Sequence, residues 1–259
     1  MTKRRFLGNL NMLMIAVTSA NNIGITRQCL ESIPAGPKIV VYDDASTEPI
    51  ERLCSGFGIQ LYKEKVPKGL TNLWNRAYED FLNSSMSLLL ITNNDVVFPK
   101  GSIEQMVEVF VQKMPVMLGP LTNAPGTGRA QRIGNYLCNT ALNVSDPVNV
   151  QIVQDMLLFA MPSNFIRSNY INGFCFMISK KINRYRYDAT HLFPPQKINI
   201  GNEDWLCSQV KKRSKRSKGI SFVICLTSFV FHYKGLTTRW CKKTSTKKGV
   251  NRENLWREV

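Results

Sequence analysis

The chain is 259 residues long, enough to bury a sizeable core as one large α/β domain or two small ones. Hydrophobic residues at 44% and charged residues at 20% are ordinary globular values that exclude a disordered chain, and no apolar run reaches the roughly 20 residues that span a bilayer. The net charge of +16 asks for an anionic partner, whether nucleic acid, a membrane surface or a phosphate-bearing substrate, and does not choose among them.

The chain opens with Lys3-Arg4-Arg5 and then Phe6 to Ala20, the outline of a signal peptide. Gly8, Asn9 and Asn11 interrupt its apolar part, so Met12 to Val17 reads as a first strand. Ile25, Cys29, Leu30 and Ile33 recur at helical spacing behind Asn22, a candidate N-cap. Lys38 to Tyr42 is a second strand ending in Asp43-Asp44-Ala45-Ser46-Thr47, and Thr47 is placed to cap a helix starting near Pro49. Ile59 to Tyr62 is a short third strand. Leu70, Leu73, Trp74, Ala77, Tyr78 and Phe81 then share one helical face and read as core.

Leu88 to Ile91 is a buried strand that runs into Thr92-Asn93-Asn94-Asp95. Ile103, Met106, Val107 and Phe110 mark the next helix, and Val116 to Gly119 the next strand. Strand and helix thus alternate over about 12–119, the pattern of βαβ units on a parallel sheet. After a Gly/Pro/Asn-rich loop come a helix around Val148 to Phe159, strands at Tyr170 to Ile178 and Ser221 to Phe231, and a short helix from Asn202 to Lys212. The seven cysteines are scattered, odd in number and without paired metal spacing, which fits a reduced, cytoplasmic compartment.

Two successive strands end in carboxylates, at Asp43-Asp44 and at Asp95. Each has a structural reading as a turn, since Asn and Asp form turns readily. Each also stands where open α/β sheets present ligands, and an aspartate there is suited to a hard divalent cation. His232 follows an apolar strand and reads either as a rim histidine or as a second cation ligand. Glu203 and Asp204 open a helix and read either as capping acids or as a general base. Trp205 and Trp240 read as packing or as ligand-stacking residues.

In this order the motifs resemble family 2 glycosyltransferases of the GT-A fold, over about Met12 to Gly235. Val41-Tyr42-Asp43-Asp44-Ala45-Ser46 is similar to the family's nucleotide-base segment, and Lys68-Gly69 with Asn75 to its glycine-to-asparagine spacing. Thr92-Asn93-Asn94-Asp95 takes the Asp-x-Asp position, with Asn93 where the first aspartate usually stands, a variant similar to rhamnosyltransferase-like members. Gly173-Phe174-Cys175 resembles the acceptor-side segment, Gly201-Asn202-Glu203-Asp204 the Glu-Asp base motif, and His232 with Gly235 the late histidine motif.

The resemblance implies an α/β GT-A domain over 1–238, with a mixed, mostly parallel sheet flanked by helices and a basic tail at 239–259. Its nucleotide half would be about 12–119 and its acceptor half about 120–238. It implies inverting transfer of a hexosyl or rhamnosyl group from a UDP- or dTDP-sugar to a glycan or glycoconjugate hydroxyl. Asp204, with Glu203 as fallback, would be the base; Thr18, Asp43, Asp44, Gly69, Asn75, Asn93 and Asn94 would bind donor. Asp95 and His232 would hold Mn²⁺ or Mg²⁺. The basic run Lys211 to Lys218 and the tail from Arg239 would meet the acceptor or an anionic surface such as a membrane. Competing readings are a basic nucleic-acid-binding protein, for which no recognition motif is present, a sugar nucleotidyltransferase, and a catalytically silent glycan-binding relative.

Overall fold

The computed structural model describes residues 10–126, 129–137, 143–196, 201–214 and 221–234. Lys215 to Lys218, Gly235, Trp240 and the basic tail lie outside the described residues. The first half alternates as expected: β1 (Leu13–Ser19), α1 (Ile23–Ser32), β2 (Lys38–Asp43), α2 (Ile50–Gly56), β3 (Gln60–Lys63), α3 (Leu70–Leu82) and β4 (Leu88–Asn93). After a short β5 (Val96–Val97) come α4 (Ser102–Lys113) and β6 (Met117–Leu121). The second half holds α5 (Val150–Ala160), β7 (Phe165–Ser168), β8 (Cys175–Ser179), α6 (Asn202–Ser214), β9 (Phe222–Phe229) and β10 (Phe231–His232).

Eight strands form one sheet in the order β3-β2-β1-β4-β8-β6-β9-β7. Neighbours β3, β2, β1 and β4 pair in parallel, as do β6 and β9, whereas β8 runs antiparallel to both β4 and β6, and β7 antiparallel to β9. This is the mixed, mostly parallel sheet expected. Successive strand residues face opposite sides, and both sides are covered. Met14, Ala16, Leu89, Ile91 and Phe176 pack under α3, α5 and α6; Leu13, Ile15, Leu88, Leu90 and Met177 pack under α1, α2 and α4. Burial on both faces explains why these strands read as continuous apolar runs.

Two strand expectations shift. Tyr170 to Phe174 precede β8 as an irregular strap, because Gly173 and the polar residues there bond to other segments; only Cys175–Ser179 joins the sheet. The run Ser221 to Phe231 breaks at Val230, whose N–H goes to the Leu121 carbonyl, and restarts as β10 against β5. Two capping expectations also fail. Asn22 sits in the left-handed region at φ 62° and makes no side-chain cap; the Ile23 N–H goes to Glu48 Oε2 at 2.5 Å. Thr47 does not cap α2, because its N–H and hydroxyl donate to Asn21 Oδ1 at 2.8 and 3.2 Å. In both places a partner about 25 residues away outcompetes the local one and laces the β1 and β2 loops together.

The segment around Phe193 that leads to α6 is fastened to α3 by Asn75. Its Nδ2 donates to the Phe193 carbonyl at 3.0 Å and its Oδ1 accepts the Phe193 N–H at 2.9 Å. Asn75→Ala would orphan both buried backbone groups, so we expect a loss of about 2–3 kcal/mol in urea unfolding. An unchanged midpoint would show that water replaces the amide.

Candidate active site

Where β1 and β4 end side by side, Thr18 lies opposite Asn93. The Thr18 hydroxyl donates to the Thr92 carbonyl at 3.1 Å and lies 3.5 Å from Asn93 Oδ1. The next two residues divide the work. The Asn94 amide turns inward and donates to Thr26 Oγ1 at 2.8 Å, with the Asn21 carbonyl at 3.3 Å, pinning α1 to β4. Asp95 is buried on the rim, and its backbone carbonyl accepts the Tyr233 N–H at 2.9 Å.

That last bond belongs to the β5–β10 ribbon, in which His232 pairs with Val96. The ribbon brings His232 Nε2 to 3.3 Å from Asp95 Oδ1. The ring is fixed on two more sides: Nδ1 lies 3.0 Å from the Ala124 carbonyl, and Phe174 stacks on it with centroids 5.0 Å apart. A carbonyl only accepts, so Nδ1 carries the proton, and in the neutral ring Nε2 turns a lone pair toward the carboxylate. Asp95 Oδ1 has no hydrogen-bond partner among the described residues. Two facing acceptors are satisfied by a shared cation, and ligands at right angles on one ion, each about 2.1 Å away, stand roughly 3 Å apart. The pair fits a divalent cation with two protein ligands. No cluster of three or more His, Cys, Asp or Glu in metal-holding geometry occurs among the described residues, so the other positions would fall to donor oxygens and water.

The strap that carries Phe174 also carries Gly173, and Gly173 meets α6. Its N–H donates to Glu203 Oε1 at 3.3 Å. A Cβ on Gly173 would stand 2.7 Å from the Trp74 ring and 3.0 Å from the Glu203 carboxyl carbon, so only glycine admits this approach. Burial raises the Glu203 carboxyl above its ordinary value, with the neighbouring Asp204 charge adding to the rise and the Gly173 and Tyr170 bonds opposing it. Asp204 is exposed. Tyr170, also on the strap, has its phenol pushed well up by burial and by the charges of Glu203 and Asp204. The start of α6 is tied to the start of α3 by Thr71 Oγ1 donating to Asn202 Oδ1 at 2.9 Å.

The remaining expected donor residues have clear structural partners. Asp43 accepts from the Ser46 N–H at 2.8 Å and from the Ser46 hydroxyl, and burial raises its carboxyl despite these donors. Asp44 accepts from the Lys68 N–H at 2.7 Å and the Gly69 N–H at 3.1 Å, holding the loop before α3, where Gly69 adopts φ 88°. Asn75 binds Phe193, as described. Trp205 is half-buried with its ring 5.8 Å from Tyr187. Lys211, Lys212 and Arg213 form the last turn of α6.

The structure therefore brings Thr18, Asn93, Asp95, His232, Glu203 and Asp204 to one rim of the sheet, joined through Gly173-Phe174. Sequence reasoning missed Tyr170 and Asn202. Asn202 lies inside a motif already singled out, whereas no spacing marks Tyr170.

No protein-family model matches the sequence, and no curated protein matches it. Solved structures do match in fold. GalNAc-T7 crystallised with UDP, GalNAc and Mn²⁺ superposes with a TM-score of 0.59 at 13% identity, covering 85% of this chain and 43% of that one. Residues 1–349 of S. aureus TarS superpose with a TM-score of 0.56 at 10% identity, covering 92% and 65%. The TarS complex with UDP-GlcNAc gives 0.55 at 11%, covering 85% and 57%. The fold is that of the GT-A glycosyltransferases. The chain spans between 43% and 65% of the length of these neighbours.

The Glu203 shift has a consequence for stability. Folding raises this carboxyl, so the native state binds the extra proton between the unfolded value, about 4.3, and the higher folded one. Stability contributed here falls as pH rises through that window. Glu203→Gln should therefore raise the urea midpoint relative to wild type at neutral pH, with the advantage fading below about pH 4. A variant less stable at neutral pH than in acid, relative to wild type, would contradict burial as the dominant cause.

Proposed function

We propose that the protein is an inverting glycosyltransferase that moves a sugar from a UDP- or dTDP-sugar to a glycan or glycoconjugate hydroxyl. The observation that carries this reading is the Gly173-Phe174 link. One residue touches Glu203 of the carboxylate pair and the next stacks on His232 of the Asp95–His232 pair. In this reading a base and a cation site would share one rim at adjacent strap residues. The GT-A neighbours, one crystallised with UDP and Mn²⁺ and another with UDP-GlcNAc, support a nucleotide-sugar donor.

Asp95 and His232 would hold Mn²⁺ or Mg²⁺, and a cation there supplies charge neutralisation for the leaving diphosphate. Thr18 and Asn93, at the ends of adjacent strands, would line the donor, with Asn94 and Asp44 supporting them from behind and Asp43 offering a carboxylate edge to a pyrimidine. Gly69 and Asn75 would shape the same rim through the backbone bonds they make. Asp204 would accept the proton of the attacking hydroxyl. Its exposed carboxylate is open to an acceptor, whereas Glu203 is held against Gly173. One base and no covalent nucleophile imply direct displacement with inversion. The basic turn Lys211 to Arg213 ends the helix that begins with this base, so the basic run to Lys218 would guide the acceptor or dock on an anionic membrane surface.

Calorimetry with UDP, dTDP, GDP and ADP tests the donor: pyrimidine nucleotides should bind at least about tenfold tighter, or about 1.4 kcal/mol. Asp95→Ala should abolish the Mn²⁺-dependent part of that binding while the fold survives. Equal binding of all four nucleotides would defeat the donor assignment.

Asp204→Asn keeps size and most hydrogen bonding but cannot take a proton. Donor affinity should hold within about threefold while transfer falls by about 10²–10⁴. The same pattern at Glu203→Gln instead would move the base to Glu203, and a product with the donor's own anomeric configuration would refute inversion.

A further inference from the structure

We infer that Asn123 is a positioning residue for His232, its side-chain amide closing on both backbone polar groups of that histidine so that the ring keeps Nε2 toward Asp95. The inference rests on the reading of Asp95 and His232 as cation ligands and deepens it. In the β5–β10 ribbon the Tyr233 N–H goes to the Asp95 carbonyl. Antiparallel pairs alternate, so at His232, opposite Val96, the backbone N–H and carbonyl point away from β5. His232 is buried, and buried backbone groups need partners. Asn123 supplies both. Its Oδ1 accepts the His232 N–H at 2.8 Å and its Nδ2 donates to the His232 carbonyl at 3.2 Å. One side chain thus stands where a third strand of the ribbon would be.

Satisfying a backbone requires no particular ring orientation. The orientation comes from the next residue, since the Ala124 carbonyl lies 3.0 Å from His232 Nδ1. Successive loop residues thus hold the backbone and the ring of one histidine, and any shift of Asn123 carries the Ala124 carbonyl with it. The loop is anchored to keep them in register. The Leu121 carbonyl, at the end of β6, accepts the Val230 N–H at 2.9 Å, so β6 and β9 leave the sheet side by side. Thr122 is fully buried, its N–H donating to the Gln131 carbonyl at 2.8 Å and its carbonyl accepting the Ile133 N–H at 2.9 Å. Its hydroxyl donates to Asn123 Oδ1 at 3.3 Å and accepts the Ala124 N–H at 3.4 Å. Past His232, the Tyr233 hydroxyl donates to Gln28 Oε1 of α1 at 2.9 Å, and Lys234 Nζ to the Pro125 carbonyl at 3.3 Å. The ribbon and the loop are each fixed independently, and Asn123 is where they meet at the histidine.

Asn123→Ala removes both bonds to His232 and leaves the backbone bonds between β5 and β10 in place. The chain has two histidines, His191 and His232, so their imidazole nitrogens can be told apart in long-range ¹⁵N–¹H spectra. At mildly alkaline pH the unmodified protein should show His232 as a single tautomer with the proton on Nδ1, and the variant should show a mixture of the two. Mn²⁺ added in the presence of UDP and followed by calorimetry should bind the variant about 10–100-fold more weakly, as on losing a group that orients a metal-binding histidine. His232 protonated on Nε2 in the unmodified protein would overturn the inference. The same tautomer in both proteins, or an unchanged Mn²⁺ affinity, would overturn it too. Should the alanine variant fail to fold, Asn123→Asp keeps the acceptor for the His232 N–H but turns a second acceptor on its carbonyl, and the same tautomer mixture is expected. Failure of the unmodified protein to bind Mn²⁺ would instead count against the cation reading, and the tautomer spectra would still decide the role of Asn123.

Discussion

The site depends on one pairing, that of β8 with β4. The two strands run antiparallel from Leu88↔Ser179 to Thr92↔Cys175, and the ladder extends one bond further, from the Asn93 N–H to the Phe174 carbonyl at 2.9 Å. A parallel neighbour would enter this rim from the opposite end, with its preceding residues at the far edge of the sheet. Because β8 is reversed, the residues just before it arrive at the rim where β1 and β4 stop. Gly173 and Phe174 are therefore delivered next to Asp95, and everything that touches them is gathered there: Glu203 at one, His232 at the other.

The rim keeps its shape because its polar side chains are almost all satisfied by one another. Asp43 holds Ser46, the Ser46 hydroxyl accepts the Asn21 N–H at 2.6 Å, Asn21 holds Thr47, and Asn94 ties Thr26. Buried polar networks of this kind are costly to break and rigid when complete. Against that background Asp95 Oδ1 lies 3.3 Å from His232 Nε2 and, like Asn202 Nδ2 and Trp74 Nε1, makes no hydrogen bond among the described residues. In the proposed reading this is where the cation would be held, between Asp95 and His232.

The alternation of strands and helices was legible because both faces of the sheet are covered, leaving apolar runs such as Leu88 to Ile91 and a strong stripe from Leu70 to Phe81. The carboxylates at the strand ends were legible as well, and so was the grouping of Asp95, His232 and Glu203-Asp204 through the family resemblance. Strand direction was not, since Cys175 to Ser179 carries the same composition whichever way it runs. Nor were the roles of short polar residues. Asn22 and Thr47 have the chemistry of caps, yet a partner about 25 residues away took the place of each local bond. Asp44 likewise reads as a turn residue, whereas it binds Lys68 and Gly69 across 24 and 25 residues. Tyr170 carried no signal, because the carboxylates whose charges raise its phenol stand at the start of α6, more than 30 positions along the chain.

Helix α6 shows how structural and chemical uses of one residue pair can be separated. Acids at its start and bases at its end suit the helix dipole, and a cap needs nothing more than that. Such a cap would leave both acids in water, where they cost least. Here Glu203 instead turns partly inward against the Gly173 N–H, where burial works against its charge and where only glycine at 173 leaves room. Stability alone does not favour that placement. What it achieves is to commit one carboxylate to the strap and leave the other exposed at its edge, beside a histidine–aspartate pair that is itself aligned by the same strap. An arrangement that costs the helix some of its capping benefit, and returns geometry at a rim shared with the Asp95–His232 pair, is what the base proposed at Asp204 would need and a cap does not.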